Sequence, residues 1–520
     1  ITFPNAKLLS FKADIIFLHT TQLNIVHRPT LTDSPEDVDQ KLKMELEKYI
    51  SLWKKITDTY KCTIIQNNFE LPLTRSLGNL DFSHISGITH FINSLNLEFA
   101  KYAQSHRGFY INDINYLSSL VGLEKWHDST FWHAYKYALS SDAIPVLCSN
   151  VAKIIMSVYG RAKKCVVVDL DNTLWGGVIG DDGVGGIQIG PETPVAEAHF
   201  AFQKYLKELQ KRGITIAVCS KNDIKNALEG LAHPNNFLRP DDFSIIKANW
   251  EPKHQNLMEI ARELNIDLSS IVFIDDNPAE REIIRLNLPQ VAVPEIGPQV
   301  DNFISVLDRS GYFEPVTLSK DDFVRNRYYK ENQMRDNIAT QFGNYEDYLL
   351  SLEMSSSIKK FSEIHLDRIF QLINKTNQFN LTTKRYTLVE VQKAATDKKY
   401  ITLYGDLLDK FGDNGVVTIF IGEIKNDELH IDLWLMSCRV LKRNLEEALF
   451  DKIVEECKAR GIQKIIGYFY ASLKNSIVAE HYDFLGFSLL KKNNEGNSVW
   501  SFDIPVDYHK RNKLVRVFSD

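Results

Sequence analysis

The chain has 520 residues, 44% hydrophobic and 25% charged, with a formal net charge of −6. The length allows roughly two to four domains, and the acid excess argues against a nucleic-acid binder that works by backbone contacts. No apolar run approaches bilayer length, and six scattered cysteines with no CxxC pair argue against a disulfide framework or a structural zinc site and suit a reducing cytoplasm.

In chain order, Asp14-Ile-Ile-Phe-Leu-His19 and Cys62-Thr-Ile-Ile-Gln66 read as strands, with helical periodicity over 38–61 and 90–107. They make residues 1–155 a first α/β unit. Ile1-Thr-Phe-Pro4 is not a charged leader, and strand character begins by about Asp14. The unit is therefore expected to be N-terminally incomplete, short of a first strand. Residues 160–310 alternate clearly, with strands expected at 164–169, 214–219, 271–275 and 290–293 and amphipathic helices at 195–212 and 253–264. Residues 311–354, rich in charge and aromatics, read as a helical bridge with helix spacing over 320–338. Residues 355–515 read as an α+β unit. Its strands are expected at 398–404, 415–423, 428–435, 464–470 and 498–504, with a helix at 443–459.

The second unit carries the chemistry. In Val166-Val-Val-Asp-Leu-Asp-Asn-Thr-Leu-Trp-Gly-Gly-Val178 an apolar run ends in two carboxylates at i and i+2. The run predicts a buried parallel strand, so Asp169 and Asp171 fall at the C-terminal edge of a sheet, where open α/β folds bind ligands. Two acids so close repel unless a cation or a proton lies between them. Asp169 is the candidate nucleophile, and Asp171 the candidate acid and base. Ser220 follows the strand 214–219 and can donate to a phosphoryl oxygen. Lys253 can neutralise phosphoryl charge. Asp275 and Asp276 close the strand 271–274 and add metal ligands, so the metal set reads Asp169, Asp171, Asp275 and Asp276, for Mg2+. Each piece alone has a bland reading as a turn, a cap or a surface lysine; their order along the chain does not.

The residues Asp169-Leu-Asp-Asn-Thr-Leu-Trp-Gly-Gly-Val-Ile-Gly180, Cys219-Ser-Lys-Asn222, Asn249-Trp-Glu-Pro-Lys253 and Phe273-Ile-Asp-Asp-Asn-Pro-Ala-Glu-Arg281 resemble the FkbH-like family (subfamily IIIC) of the haloacid-dehalogenase superfamily. The resemblance extends through Asn374-Lys-Thr-Asn-Gln-Phe-Asn-Leu-Thr-Thr383. It implies a three-domain α/β chain: an SGNH-hydrolase-like domain, an uncapped Rossmann-like phosphatase domain and a GNAT-like α+β acyltransferase domain. It also implies attack by Asp169, acid–base work by Asp171, phosphate binding by Ser220 and Lys253, and metal binding by Asp275. About 50 residues separate Asp171 from Ser220 and about 33 separate Ser220 from Lys253, which leaves no room for a lid domain; 178–190 reads as a short hairpin flap.

Members of that family are linked to acyl-carrier loading. The resemblance implies an enzyme that dephosphorylates a small phosphorylated acyl donor, 1,3-bisphosphoglycerate, and loads the glyceryl group on the pantetheine thiol of an acyl carrier protein. No nucleic acid or membrane is expected as a partner. Cys219, beside Ser220, is either an acyl relay or core packing; Cys438 poses the same choice. The alternative function is a phosphatase fused to an N- or O-acyltransferase of sugar or secondary-metabolite biosynthesis. In the GNAT-like region the turn Arg439-Val-Leu-Lys-Arg-Asn444 stands where family members have Arg-Val-Leu-Gly-Arg-Gly. Arg439, Lys442, Arg443 and Asn475 are the candidate contacts to a phosphopantetheine arm or a coenzyme A thioester, though both missing glycines hinder close backbone approach. In the first unit, Asn67-Asn68 resembles the remnant of an oxyanion amide. Asp128 and His133 are five apart rather than in an Asp-x-x-His pair, so docking or scaffolding is the expectation there.

Overall fold

The structure, a computed structural model, describes residues 6–317, 323, 325–376, 378–437, 440–472 and 474–518. The chain divides into two compact units, Ile1–Val158 with Tyr386–Lys393, and Tyr159–Arg385 with Ala394–Asp520.

The first unit holds a parallel sheet of order β1-β2-β3, built from β1 (Ile15–Leu18), β2 (Thr63–Asn67) and β3 (Phe109–Asn112). Helices α1 (Pro35–Tyr60) and α2 (Ile88–Ser105) cross between them. Helix α1 begins where Ser34 Oγ accepts the Asp37 N–H at 3.1 Å and Asp37 accepts the Ser34 N–H at 3.0 Å, a capping box with proline at the first helical position. Trp53, Phe91 and Phe99 are fully buried between the helices and the sheet.

The second unit begins with a parallel sheet of order β6-β5-β4-β7: β4 (Cys165–Val168), β5 (Thr215–Ser220), β6 (Ile245–Ala248) and β7 (Ile271–Ile274). Strands β4 and β7 are aliphatic throughout apart from one cysteine and one phenylalanine, and are buried on both faces, which a sheet covered by helices on each side requires. Those helices include α3 (Pro194–Lys211), α4 (Lys253–Glu263) and α5 (Pro278–Asn287). Strand β6 was not expected from the sequence. The strand expected at 290–293 is instead a single bridge between Val272 and Ala292; Pro289 and Pro294 bracket it and cannot donate to a ladder.

Helices α6 (Arg325–Ala339) and α7 (Tyr345–Ser351) lead into a nine-stranded sheet. Its strands are β8 (Ser355–Lys359), β9 (Phe379–Asn380), β10 (Tyr400–Asp409), β11 (Gly412–Lys425), β12 (Glu428–Met436), β13 (Lys464–Phe469), β14 (Ser488–Lys492), β15 (Ser498–Asp503) and β16 (Arg516–Phe518), with α8 (Leu366–Lys375) and α9 (Leu445–Ala459). The order is β14-β15-β13-β12-β11-β10-β8-β16, with β9 on β12. Strands β12 and β13 are parallel neighbours only over Glu428–His430 and Lys464–Ile466. Beyond that stretch the Leu381 N–H donates to the Trp434 carbonyl at 3.1 Å, and the Tyr470 N–H donates to the Leu381 carbonyl at 2.9 Å. The chain thus satisfies with its own segment the backbone groups that the parting strands would leave unpaired. Among the described residues, no helix is long and apolar enough to cross a membrane.

Candidate active site

Strand β4 delivers Asp169 to the sheet edge, and the Asp169 N–H donates to the Ile274 carbonyl at 2.9 Å, prolonging the β4–β7 ladder. The chain then turns back through Asn172 at φ 53°, the left-handed region that asparagine tolerates; its Oδ1 accepts the Gly177 N–H at 3.0 Å. Strand β7 ends in Asp275 and Asp276. Carboxylate oxygens of Asp169, Asp275 and Asp276 lie within 4.8 Å of one another. Lys253, at the first position of α4 and 3% exposed, places Nζ 2.6 Å from Asp275 Oδ2 and 3.0 Å from Asp169 Oδ2.

Three carboxylates against one ammonium leave this pocket with excess negative charge. Burial, then the repulsion of Asp169, pushes Asp275 and Asp276 above the usual carboxylate range. Burial works against the Lys253 charge, but Asp169 and Asp275 outweigh it and hold the ammonium above its ordinary value. Asp169 Oδ1 is buried with no hydrogen-bond partner among the described residues, a costly state unless a ligand completes it. A hard divalent cation with oxygen ligands fits this donor set.

Asp171 is turned elsewhere. Its Oδ1 accepts from Trp175 Nε1 at 2.9 Å and the Ile179 N–H at 3.1 Å, and its Oδ2 accepts from Asn222 Nδ2 at 3.1 Å. Two of these donors come from its own loop and one from the loop after β5, and its carboxylate stands apart from the metal-type group, contrary to the expected four-acid set. Burial holds its carboxyl above the usual carboxylate range despite these donors, as an acid–base group requires. Ser220 is buried at the end of β5.

Three side chains with no role in the sequence reading hold this geometry. Thr173 Oγ1 donates to Asp276 Oδ1 at 3.2 Å and accepts the Asp276 N–H at 3.1 Å, tying the β4 loop to the β7 loop. Asn222 aims Asp171. Arg281 donates to the carbonyls of Asp275 and Asp276 at 2.8 and 2.7 Å. The signal for Thr173 was its place in Asp-x-Asp-x-Thr; for Asn222 and Arg281 it was membership of a motif.

The flap differs from a hairpin. Gly176 and Gln188 exchange both backbone hydrogen bonds, at 3.0 and 2.8 Å, but a helical turn, Ile179–Asp182, lies between them. Asp182 accepts the Val178 N–H at 2.8 Å and stabilises that turn.

Cys219 is fully buried, and burial pushes its thiol up to about 12. Its Sγ faces the Lys253 carbonyl at 3.7 Å. It is a core side chain here, and the acyl-relay reading fails for want of access and of a thiolate. Cys438 and Arg439 lie outside the described residues. Arg443 is buried and donates to Asp409 Oδ2 and Asn332 Oδ1, both at 3.1 Å, so its charge serves an internal cluster rather than a ligand. Lys442 and Asn444 take φ values of 63° and 58°, the conformation that glycine would adopt without strain. The Lys442 carbonyl accepts from Tyr345 Oη at 2.9 Å. Glu446, at the second position of α9, is buried, and burial pushes its carboxyl up to about 7 against the opposing pull of the Lys442 and Glu446 backbone. An acid fills the helix N-terminus that an incoming pyrophosphate would need. Asn475 is buried and bonded to the Asn380 and Tyr470 carbonyls, both at 2.9 Å; it fixes a loop. In the first unit, Asn67 lies in a buried amide network with His19 and Asn112. Asp128 caps a helix by accepting the Phe131 N–H at 3.0 Å, and His133 is exposed.

The parallel sheet, the carboxylate trio at its C-terminal edge and the buried lysine define a haloacid-dehalogenase-type phosphatase domain. A family model for a haloacid dehalogenase-like hydrolase matches residues 201–283, and a model for the FkbH N-terminal domain matches residues 1–156. The N-terminal part of the Bacteroides fragilis protein BF1531, containing a phosphatase domain complexed with Mg, is 31% identical. That match covers 61% of this chain and 83% of that one, with a TM-score of 0.56. The chain belongs to the FkbH-like family of the haloacid-dehalogenase superfamily. Matches to acetyltransferases are more distant. The ribosomal-protein-S18-alanine N-acetyltransferase of Escherichia coli is 14% identical over 30% of this chain and 98% of that one, at TM-score 0.23. PaiA N-acetyltransferase of Thermoplasma acidophilum, in complex with coenzyme A, is 14% identical over 29% and 99%, also at 0.23. No curated protein matches the chain.

Proposed function

We propose that this chain is a cytoplasmic, Mg2+-dependent enzyme that takes the acyl phosphate of 1,3-bisphosphoglycerate and loads the glyceryl group on an acyl carrier protein. The observation that carries the reading is the buried Asp169–Asp275–Asp276–Lys253 cluster, with the orphaned Asp169 Oδ1 and Asp171 held apart beside it. Asp169, Asp275 and Asp276 would hold Mg2+, which when bound offsets the charge of the phosphoryl oxygens. Lys253 and Ser220 bind the phosphate. In loading, the pantetheine sulfur bonds to the acyl carbon as the carbon–oxygen bond to phosphate breaks. The thiol proton passes to Asp171, whose raised proton affinity suits it for that role. In hydrolysis, Asp169 attacks phosphorus instead as the bond to the leaving oxygen breaks, Asp171 protonates that oxygen, and water deprotonated by Asp171 then displaces phosphate from Asp169.

The alternative, a second acyltransferase fed by free coenzyme A, is disfavoured by Glu446 at the helix N-terminus and by the engagement of Arg443 with Asp409. Intact-protein mass spectrometry tests the proposal. The full chain is mixed with Mg2+, 1,3-bisphosphoglycerate and holo carrier protein, with Asp169→Asn as control. A glyceryl mass gain on the carrier, reduced at least about 100-fold in the control, is expected. Phosphate release without any adduct would reassign the chain as a phosphatase, and no turnover would reject this donor.

A further inference from the structure

Strands β12 and β13 run side by side only as far as His430 and Ile466. Parting strands leave two facing rows of backbone donors and acceptors, edges along which an extended chain with amide groups can lie. The pantetheine arm of a thioester is such a chain. Here the protein's own residues lie there instead. Asn380 and Phe379 pair antiparallel with Leu435 and Met436, and Thr382 Oγ1 donates to the Asp432 carbonyl at 2.8 Å. The Leu381 N–H is bonded to β12 and the Leu381 carbonyl to Tyr470, which follows β13, so one residue joins both strands. Asn475 Nδ2 closes the far side by donating to the Asn380 and Tyr470 carbonyls, both at 2.9 Å.

The segment is seated as core. Phe379, Asn380, Leu381 and Thr382 are each 2% exposed or less. Phe379 and Leu381 pack in one apolar cluster with Trp434, Met436 and Phe469, and the Phe379 ring meets the His481 ring edge-on, 4.9 Å between centroids. A thin arm that displaced this segment could recover the backbone bonds. It could not recover the burial of two large apolar side chains, and it would leave their space unfilled. Glu446 and Arg443 bear on the pyrophosphate end of a coenzyme A ligand. The segment 379–382 bears on the arm, and so on a carrier-borne thioester as well as on free coenzyme A.

We propose that residues 379–382 are the permanent occupant of the gap between β12 and β13, and that neither coenzyme A nor a carrier-borne pantetheine arm enters it. On the acyl-loading reading above, on which this consequence rests, the acceptor thiol meets the donor at the edge of the phosphatase sheet with no acyl station in that gap. Hydrogen exchange on the full chain tests the occupant without turnover. The Leu381 and Tyr470 amides are expected to exchange as slowly as those of β12. Millimolar acetyl-coenzyme A or pantetheine is expected to leave exchange in 379–382, 434–436 and 470–472 unchanged. Loop-like exchange at Leu381 and Tyr470, or a ligand-dependent change in any of these segments, would overturn the proposal. The second measurement uses Asn475→Ala and the milder Thr382→Val. Each is expected to lower the melting temperature and to quicken exchange in 379–382 roughly ten-fold, while the KM for holo carrier protein stays within about two-fold of the wild type. A rise in that KM of about ten-fold, with melting temperature and exchange unchanged, would make the gap an acceptor site instead. If no carrier is loaded, the reaction is rejected and exchange alone decides on the occupant.

Discussion

At the scale of single residues, the site is a set of charges whose aim depends on neutral neighbours. Asp171 is held by Trp175, Ile179 and Asn222, and only Asn222 contributes from the β5 side. Removing that donor leaves Oδ2 without its side-chain anchor while the charge of Asp169 repels it. Asn222→Ala is therefore expected to lower kcat roughly 10- to 100-fold, with the KM for the phosphorylated donor changed much less, because Lys253 and Ser220 remain. Steady-state kinetics on the variant would decide it; a rise in KM at constant kcat would make Asn222 a binding group instead. The charged members of this site were legible in the sequence through their order, Asp169 and Asp171, then Lys253, then Asp275 and Asp276, since each alone could be a turn, a cap or a surface lysine. The neutral ones were not: an asparagine or a threonine in a loop looks the same whether it caps a turn or aims an acid.

At the scale of elements, legibility followed the length of the apolar run. Strands β4, β5 and β7 stand out because both their faces are buried. Strand β6 has Ile245, Ile246 and Ala248 interrupted by Lys247, and β9 has two residues in all, too little for any periodicity to register. The turn before α9 was legible as a departure from the family pattern, but the filling of its helix N-terminus by Glu446 was not. That carboxyl is buried and pushed up to about 7, above the ordinary glutamate value of about 4.3 in an unfolded chain. The folded protein thus holds a proton there over a pH range in which the unfolded chain has lost it. The stability tied to this proton is complete below about pH 4.3 and is lost as pH rises through about 7. Glu446→Gln keeps the hydrogen-bonding shape without the titration. Relative to the wild type it is expected to gain on the order of 2 kcal/mol between pH 5 and 8, read as a widening difference in melting temperature. A constant difference across that range would place the carboxylate in water.

At the scale of the whole molecule, the phosphatase sheet and the nine-stranded sheet belong to one compact unit, and named contacts tie them together. Lys474 reaches Asp267 Oδ2 and Ser269 Oγ, both at 3.3 Å, and Gln371 Nε2 donates to Thr317 Oγ1 at 2.8 Å. The backbones also pack closely at Gly160, where an added Cβ would lie 2.5 Å from the carbonyl oxygen of Asn374. This gives the amide-rich stretch beginning at Asn374 a structural purpose: its side chain donates to the Phe370 carbonyl at 3.1 Å, closing α8 as the backbone passes against Gly160. An amide-rich stretch can order a ligand or fix a loop, and its composition does not decide between them. Lys474 and Asp267 are exposed enough for their ion pair to be worth little, so the tight backbone contact is the sensitive point. Gly160 also sits at φ 66°, where a side chain is strained even in open space. Gly160→Ala therefore meets two penalties at once, a backbone preference of about 1 kcal/mol and a clash with a main-chain oxygen that has no rotamer to escape into. A loss of about 2–4 kcal/mol is expected, seen as a lower melting temperature. Hydrogen exchange should quicken in α8 and in the segment 379–382 while the core of β4 and β5 stays protected. Were exchange to quicken evenly across both sheets, Gly160 would be part of a single folding core; were it unchanged, the chain on either side of the glycine would have room to move apart.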